Sequence, residues 1–302
     1  MRSLSLLERY STIAALGLIL TACTPDEKPK VDPTPTADST AADLSNPPVG
    51  VYDNSIFSIP SPIQLGSIIA NNGASYDNEM LNKANKADMY ATTASQALNL
   101  GIYGADLGYT TLYDHQQESL RYMRASRKLA DVLGISEAFD DATISQIERN
   151  LDNKDSLLYL ISNSYRKADD FLQIRERKHI GALIIVGGWI ESIYFAANIG
   201  KMNQTTEITN LIGMQKHTLE TILDKMLIKY LDEPGVKDLY TDLESIRESF
   251  EEINIEYTYS TPVHDKENKT TEITSTTTID ISDEVFKEIG VKIELLRKKI
   301  IL

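Results

Sequence analysis

The sequence contains a single cysteine, Cys23, among 302 residues, so an intrachain disulfide is excluded. The fold must therefore be held together by a hydrophobic core, and the chain is long enough to bury one or two cores. Basic residues are also few, because 30 Lys and Arg stand against 44 Asp and Glu and give a net charge of −14. Nucleic-acid binding needs a basic surface, so this composition argues against a nucleic-acid partner.

Motifs that identify common enzyme and metal sites are missing as well. The sequence has no G-x-S-x-G, P-loop or H-E-x-x-H motif. Its four histidines lie far apart without the spacing of zinc ligands, and they are His115, His179, His217 and His264. We therefore predict no metal, no cofactor and no identifiable catalytic residue. An enzyme stays possible, but these absences favour a protein without enzymatic activity.

The N-terminal segment has the features of an export signal. Arg2 and Arg9 precede an apolar stretch at 12–20 that is too short to span a bilayer, and small residues precede Cys23. The run Leu-Thr-Ala-Cys at 20–23 resembles a bacterial lipoprotein signal. This resemblance implies cleavage before Cys23, lipidation of its sulfur and anchoring in the cell envelope, at the outer membrane. It does not indicate whether the protein faces the periplasm or the cell exterior. The alternative is an ordinary secretory signal followed by an incidental cysteine.

Composition divides the chain into three segments. Residues 1–22 are the predicted signal peptide. Residues 23–50 are rich in Pro, Thr, Ser, Ala and Asp, and they contain almost no large apolar residues that could offset the entropy cost of ordering. We predict a lipidated, disordered linker there, followed by a single folded domain at 51–302.

Apolar residues within this domain mostly recur at helical spacing, as in 155–178, 206–231 and 239–253. The period changes to strand-like alternation near the C-terminus, on both sides of the polar run HDKENK at 264–269. The pattern predicts an all-α, multi-helix bundle with one β-hairpin, which is inserted at about 255–281.

Two predicted helices, 88–113 and 180–199, carry almost no charge apart from Asp106 in the first and Glu191 in the second. A helix without a charged face is surrounded by protein, so we predict that these two are the central helices of the bundle. Glycines on one stripe of the first helix predict close approach of another backbone, because glycine otherwise weakens a helix. The alternative for 180–199 is a membrane span, which its length permits but Glu191 and its glycines disfavour.

Asp106 and Glu191 are the candidate ligand-binding residues. Each lies on a polar helix stripe that is otherwise uncharged, and we predict that the two stripes line an internal wet cavity for a small ligand or a cation. The predicted rim of this cavity is aromatic and consists of Tyr103, Tyr109, Trp189 and Tyr194. In the alternative interpretation, each acid reaches water or pairs with one arginine of the next helix. Those arginines are Arg121, Arg124 and Arg127.

Three short motifs carry a second resemblance. They are GIYGADLGY at 101–109, RKLAD at 127–131 and GGWIE at 187–191, and together they resemble a group of helical Bacteroidetes lipoproteins. Members of that group have no assigned activity. The resemblance therefore implies a helical fold and an envelope location, and it implies no catalytic residue.

These features predict a lipid-anchored interaction protein of the cell envelope, without enzymatic activity. It would contact the membrane through the lipid on Cys23 and an envelope protein through the hairpin tip and the acidic surface. The alternative hypothesis is a small-ligand or cation-binding module that uses a cavity between 88–113 and 180–199. A third hypothesis is an envelope hydrolase.

Overall fold

The architecture follows from a computed structural model. It describes residues 50–52, 55–57, 66–67, 70–71, 73–174, 176–202, 204–265, 270–272 and 274–302. The predicted signal peptide, Cys23 and the predicted linker up to residue 49 lie outside the described residues. Within them the chain is an all-α bundle with a β-hairpin near the C-terminus, as the sequence predicts.

Eight α-helices whose full bounds are described form the bundle, and residues 66–67 and 70–71 are helical as well. The eight helices are α1 Thr93–Leu112, α2 Gln116–Val132, α3 Asp141–Arg149, α4 Lys154–Ile174, α5 Lys178–Met202, α6 Thr206–Thr221, α7 Val236–Glu251 and α8 Asp283–Ile301. Short 3-10 helices lie at Asn78–Met80, Ala84–Asp88 and Ser136–Phe139. A π-helical turn at Ile222–Met226 and a 3-10 turn at Leu227–Tyr230 continue α6, so the region predicted as one helix at 206–231 has three helical segments.

Six short strands pair into three antiparallel ladders. They are β1 Gly50–Tyr52, β2 Ser55–Phe57, β3 Asn254–Thr258, β4 Val263–Asp265, β5 Thr270–Glu272 and β6 Thr276–Asp280. Strands β3 and β6 pair around Glu256 and Thr278, and β4 pairs with β5 farther out, so the predicted hairpin is confirmed. We call the segment from β3 to β6 the C-terminal hairpin. The pairing of β1 with β2 was not predicted from the sequence.

Helices α1 and α5 form the centre of the bundle. Residues 97–112 of α1 are all buried, and so are residues 180–200 of α5 except for three half-buried side chains. A Cβ atom on Gly101 would lie 1.9 Å from the carbonyl oxygen of Ile184, and a Cβ atom on Gly187 would lie 2.0 Å from that of Leu98. Only glycine permits this approach of the two backbones, which confirms the prediction made from the glycine stripe.

Helix α5 is long and apolar enough to cross a membrane. However, nearly all of its apolar part is buried inside the bundle. Enclosure by neighbouring helices accounts for its composition, because a helix that is apolar on all sides suits a protein core as well as a membrane.

Helix α8 brings the C-terminus of the chain back to the start of the bundle. Ser282 caps this helix by accepting a hydrogen bond from the backbone N–H of Val285. At its other end, the carbonyl oxygen of Ile300 accepts a hydrogen bond from the Asn99 side chain, at 3.0 Å. Lys86 donates to the carbonyl oxygen of Ile301, at 2.8 Å. The last turn of α8 is therefore held against the N-terminal half of α1.

Candidate functional site

Asp106 and Glu191 both lie in the interior of the bundle, with no exposed surface. Helix α1 carries Asp106 and helix α5 carries Glu191, so the close packing of these helices places both acids in one apolar core. Burial of a carboxylate is costly unless it is paired or protonated. The two acids meet this requirement in different ways.

Glu191 is paired with Arg297 of α8. The arginine Nε and Nη2 atoms donate to the two carboxylate oxygens, at 2.5 and 2.6 Å. Nη2 also donates to the carbonyl oxygen of Met80, at 2.7 Å, and the guanidinium lies 4.0 Å from the ring centre of Tyr194. Burial lowers the pKa of Arg297, but the charge and hydrogen bonds of Glu191 raise it more, so Arg297 stays charged.

Asp106 has no such ion pair, and neither of its carboxyl oxygens forms a hydrogen bond of ordinary geometry with a described residue. It nevertheless lies close enough to the carboxyl group of Glu191 and to the backbone of Asn82 for both to shift its pKa. Burial raises the pKa of Asp106 well above its usual value, and the negative charge of Glu191 raises it further. The positive charge of Arg297 opposes this effect only in part. The arrangement therefore favours a protonated Asp106 in the folded protein.

A second buried polar group near Asp106 also lacks a partner. The hydroxyl of Tyr76 forms no hydrogen bond with a described residue, although its ring stacks on His115 with centroids 3.6 Å apart. Burial raises the pKa of Tyr76 to about 12, and the charges of Glu118 and Asp106 add to the shift. Tyr76 was not predicted as a site residue, since it lies in an irregular segment that showed no periodicity.

The four predicted rim residues are all involved in contacts of their own. Tyr103 donates to the carbonyl oxygen of Lys83, at 3.0 Å, and the hydroxyl of Tyr109 accepts from the backbone N–H of Asp77, at 3.0 Å. Trp189 donates to Gln215 of α6, at 3.1 Å, while Tyr194 covers Arg297. A ligand role for these residues and for the two acids stays a prediction.

Two pockets in the described part of the chain lie away from both acids. One, of about 350 Å³, is near the start of α1 and is lined by Thr92, His179 and Glu233, among others. The other, of about 370 Å³, lies between the start of α6 and β6. Neither is lined by Asp106 or Glu191.

The predicted pairing of either acid with an arginine of the next helix is wrong. Arg121 pairs with Glu118, Arg124 with Glu148 and Arg127 with Asp141, because these arginines lie on the solvent-facing side of α2. The arginine that pairs with Glu191 is instead Arg297 of α8. The sequence contained a signal for this, since Arg297 follows Ile293 by four residues and so lies on the apolar stripe of α8.

The C-terminal hairpin is the second candidate site. Ile255 and Ile279 are paired across the hairpin and pack against the core, with Ile279 so close to Gly213 that a Cβ atom there would lie 2.4 Å away. The other residues of β3 and β6 are exposed. Beyond the paired strands, Ser260 and Thr274 join the two sides by a hydroxyl–hydroxyl hydrogen bond of 2.8 Å. Residues 266–269 of the predicted polar turn lie outside the described residues.

Acidic and aromatic side chains are exposed at this hairpin. Tyr257 and Tyr259 have 65% and 67% of their surface exposed. Glu256 is exposed on β3, and Glu251 and Glu252 are exposed just before it. Large amphipathic rings such as these are enriched in contact surfaces.

Comparisons of the chain with protein-family models, curated proteins and solved structures found no match. Two described features therefore bear on function. One is the buried cluster of Asp106, Glu191 and Arg297, and the other is the exposed hairpin.

Proposed function

We propose that this protein is a non-enzymatic interaction protein of the cell envelope, anchored by lipid at Cys23, and that it contacts a protein partner through the C-terminal hairpin. The observation that carries this proposal is the exposure of β3 and β6 on both faces beyond the Ile255–Ile279 pair. Two strands that bury so little of their own surface add little to the core. A contact function explains why such strands are present.

The anchor is supported by the sequence of residues 2–23 and by the composition of the segment that follows. Acyl chains contribute about 0.8 kcal/mol per buried CH₂ group, so a doubly acylated cysteine holds a protein at a membrane. The long polar segment before the domain would separate the hairpin from the bilayer.

Replacement of the only cysteine tests the anchor. The Cys23→Ala variant of the full chain, expressed in a Gram-negative host, should lose incorporation of labelled palmitate and move from the membrane to the soluble fraction. Thr34→Ala, in the same predicted linker, is the control and should remain in the membrane fraction. Equal membrane content of the Cys23→Ala variant would contradict the anchor.

Removal of the outer hairpin tests the contact surface. A variant that joins Glu256 to Thr278 through a short Asn-Gly turn keeps the Ile255–Ile279 pair and should unfold at the same temperature as the wild type. Cross-linking in intact envelopes should recover a protein partner with the wild type and not with this variant. A charge substitution at the distant, exposed Glu137 is the control for altered surface charge. Recovery of the same partner without the hairpin would contradict the proposal.

A buried binding site is the second candidate function, and one observation favours it. Both carboxyl oxygens of Asp106 and the hydroxyl of Tyr76 are buried, and none of these atoms has a hydrogen bond of ordinary geometry to a described residue. Such groups need a proton, an internal water or a small cation to offset their burial. No comparable observation favours the third hypothesis, an envelope hydrolase.

Thermal unfolding in different salts distinguishes a cation from a proton at Asp106. If a small cation binds there, sodium, potassium or ammonium chloride should raise the unfolding temperature of the wild type more than that of Asp106→Asn, because bound ligand stabilises the folded state. Asp131→Asn, an exposed change on α2, controls for general salt effects. Identical salt responses of the wild type and Asp106→Asn would remove the cation hypothesis.

A further inference from the structure

We propose that the outer edge of β3 is a docking site for an extended, basic segment of a partner protein, which adds to the C-terminal hairpin as a third strand. This inference rests on the proposed function, because it names the chemistry of the partner for the same hairpin. The support comes from the unpaired edge of β3 and from the negative charge around it, which attracts a basic partner and disfavours a second copy of this chain.

Strand β3 has one paired edge. Within the described residues its strand hydrogen bonds all go to β6, from Asn254–Asp280 to Thr258–Thr276. Alternate backbone N–H and C=O groups on the other edge of β3 therefore have no strand partner. Such a row is the template on which extended peptides add to a sheet.

Strand β6 is the member of the pair that lies against the bundle. Its residue Ile279 packs on Gly213 of α6, and Asp280 lines a pocket together with Thr205 and Thr206 at the start of that helix. A third strand would consequently add beside β3 rather than beside β6.

The exposed side chains that lead into β3 are mainly negative. Four carboxylates run from the end of α7 into β3, are exposed, and form no ion pair with a described residue: Glu248, Glu251, Glu252 and Glu256. The ammonium group of the nearby Lys216 donates to the carbonyl oxygens of Glu251 and Ile253. A strand that carries lysine or arginine complements these carboxylates, and such complementarity increases association rate and selects the partner.

The same charge disfavours a second copy of the chain as the occupant. Antiparallel pairing of two β3 strands about their centre would place Glu256 opposite Glu256, and like charges at opposed positions destabilise a sheet. The net charge of −14 also repels a second copy at longer range. Tyr257, on the face shared with Ile255, provides exposed aromatic surface for the side chains of a different partner.

Nuclear magnetic resonance of the full chain with synthetic peptides tests this inference. The probe is a short peptide that alternates lysine and valine, and the readout is the hydrogen-exchange protection of the backbone amides at 254–258. We expect the peptide to protect alternate amides of β3, and we expect binding to weaken as salt is added. The same peptide with a methylated backbone cannot donate to the carbonyl oxygens of β3, and its methyl groups keep the two backbones apart, so it should give no protection.

Charge variants test the chemistry of the partner. The combined changes Glu252→Lys and Glu256→Lys should weaken binding of the basic peptide about tenfold or more at low salt. The control Glu137→Lys, in the 3-10 helix at Ser136–Phe139, should leave this binding unchanged. A peptide with glutamate in place of lysine should not bind the wild type.

Three results would overturn the inference. They are absence of protection at millimolar peptide, equal binding of the methylated peptide, and sedimentation showing that protection comes from self-association. None of them bears on the cross-linking of the hairpin variant. Suppose that the variant without the outer hairpin no longer cross-links to the partner, and that one of these three results is also obtained. The proposed function would then stand, and only the addition of a third strand would be rejected.

Discussion

Arg297 and Glu191, 106 residues apart in the chain, form a two-pronged ion pair inside the bundle. The pair joins α8 to α5, and the additional bond from Arg297 to the carbonyl of Met80 joins both to the segment before α1. Both side chains are almost fully buried. A buried pair gains little relative to an apolar pair of the same size, but removal of one partner leaves an unpaired charge in the core.

Arg297→Met should therefore destabilise the protein strongly. The change keeps much of the apolar stem but leaves Glu191 buried without a counter-charge, and it also removes the contact with Tyr194. We expect the free energy of unfolding to fall by about 3–5 kcal/mol, as measured by urea denaturation at neutral pH.

Two variants show whether the loss comes from the buried charge. Lys299→Met, on the same helix as Arg297, removes an exposed ion pair with Asp242 of α7 and should cost at most about 1 kcal/mol. Combined Arg297→Met and Glu191→Met should regain much of the lost stability, because no unpaired charge remains. A double variant as unstable as the single one would show that packing at Arg297, and not its charge, determines the loss.

Asp106 should make the stability of the protein depend on pH in an unusual way. Burial, and then the charge of Glu191, raises its pKa in the folded state well above the usual value of 3.8. Above pH 3.8 the unfolded chain releases this proton while the folded chain keeps it, so the contribution of Asp106 to stability falls as pH rises toward the raised pKa. Asp106→Asn cannot ionise, and its stability relative to the wild type should increase with pH by up to about 1.36 kcal/mol per pH unit in this window.

Urea denaturation of both proteins at a series of pH values measures this difference. The exposed substitution Asp131→Asn should follow the wild-type curve, since it alters a side chain outside the core. Parallel curves for Asp106→Asn and the wild type would show that Asp106 is ionised in the folded protein, and the explanation from burial would then be wrong.

The sequence was sufficient to predict the fold class and its centre. Scarcity of charge in the segments around Asp106 and Glu191 indicated enclosure on all sides, and both helices are central. The glycine stripe predicted a close backbone contact, which Gly101 and Gly187 form. Alternating residues near the C-terminus predicted the hairpin. Each of these features, namely burial, close backbone contact and strand pairing, leaves a pattern in neighbouring residues, so the sequence alone was enough to predict it.

The partner of Glu191 was not predicted, because ion pairing in a core depends on which helices become neighbours. The arginines of α2 were closer in sequence, yet that helix turns them toward solvent. Arg297 reaches the core through the packing of α8 against α5, a contact between distant parts of the chain. The unpaired hydroxyl of Tyr76 lies in an irregular segment, where no periodicity indicates burial.

Addition of a methyl group at the helix contact should be strongly unfavourable. A Cβ atom at Gly101 or Gly187 would meet a backbone carbonyl at 1.9 or 2.0 Å, and a backbone cannot move aside as a side chain can. We expect Gly101→Ala and Gly187→Ala each to lower the free energy of unfolding by about 1–3 kcal/mol or more. Gly181→Ala in the same α5 helix is the control, since its nearest neighbour is the Asp169 side chain at 3.1 Å. It should change stability by no more than about 1 kcal/mol, and equal effects at all three sites would contradict the backbone contact.

Ile279 should control how firmly the C-terminal hairpin is held without controlling the fold of the bundle. Its side chain packs on Gly213 of α6, whereas the rest of β6 is largely exposed, so Ile279→Ala removes much of the apolar contact at the base of the hairpin. Hydrogen exchange of the amides at 254–258 and 276–280 should become at least tenfold faster, while amides of α1 and α5 keep their rates, because the opening is local. Thr277→Ala, two residues away on the same face of β6, should leave both sets of rates nearly unchanged. If Ile279→Ala accelerates exchange in α5 as much as in β3, the hairpin unfolds together with the bundle, and a separately movable contact arm is the wrong description.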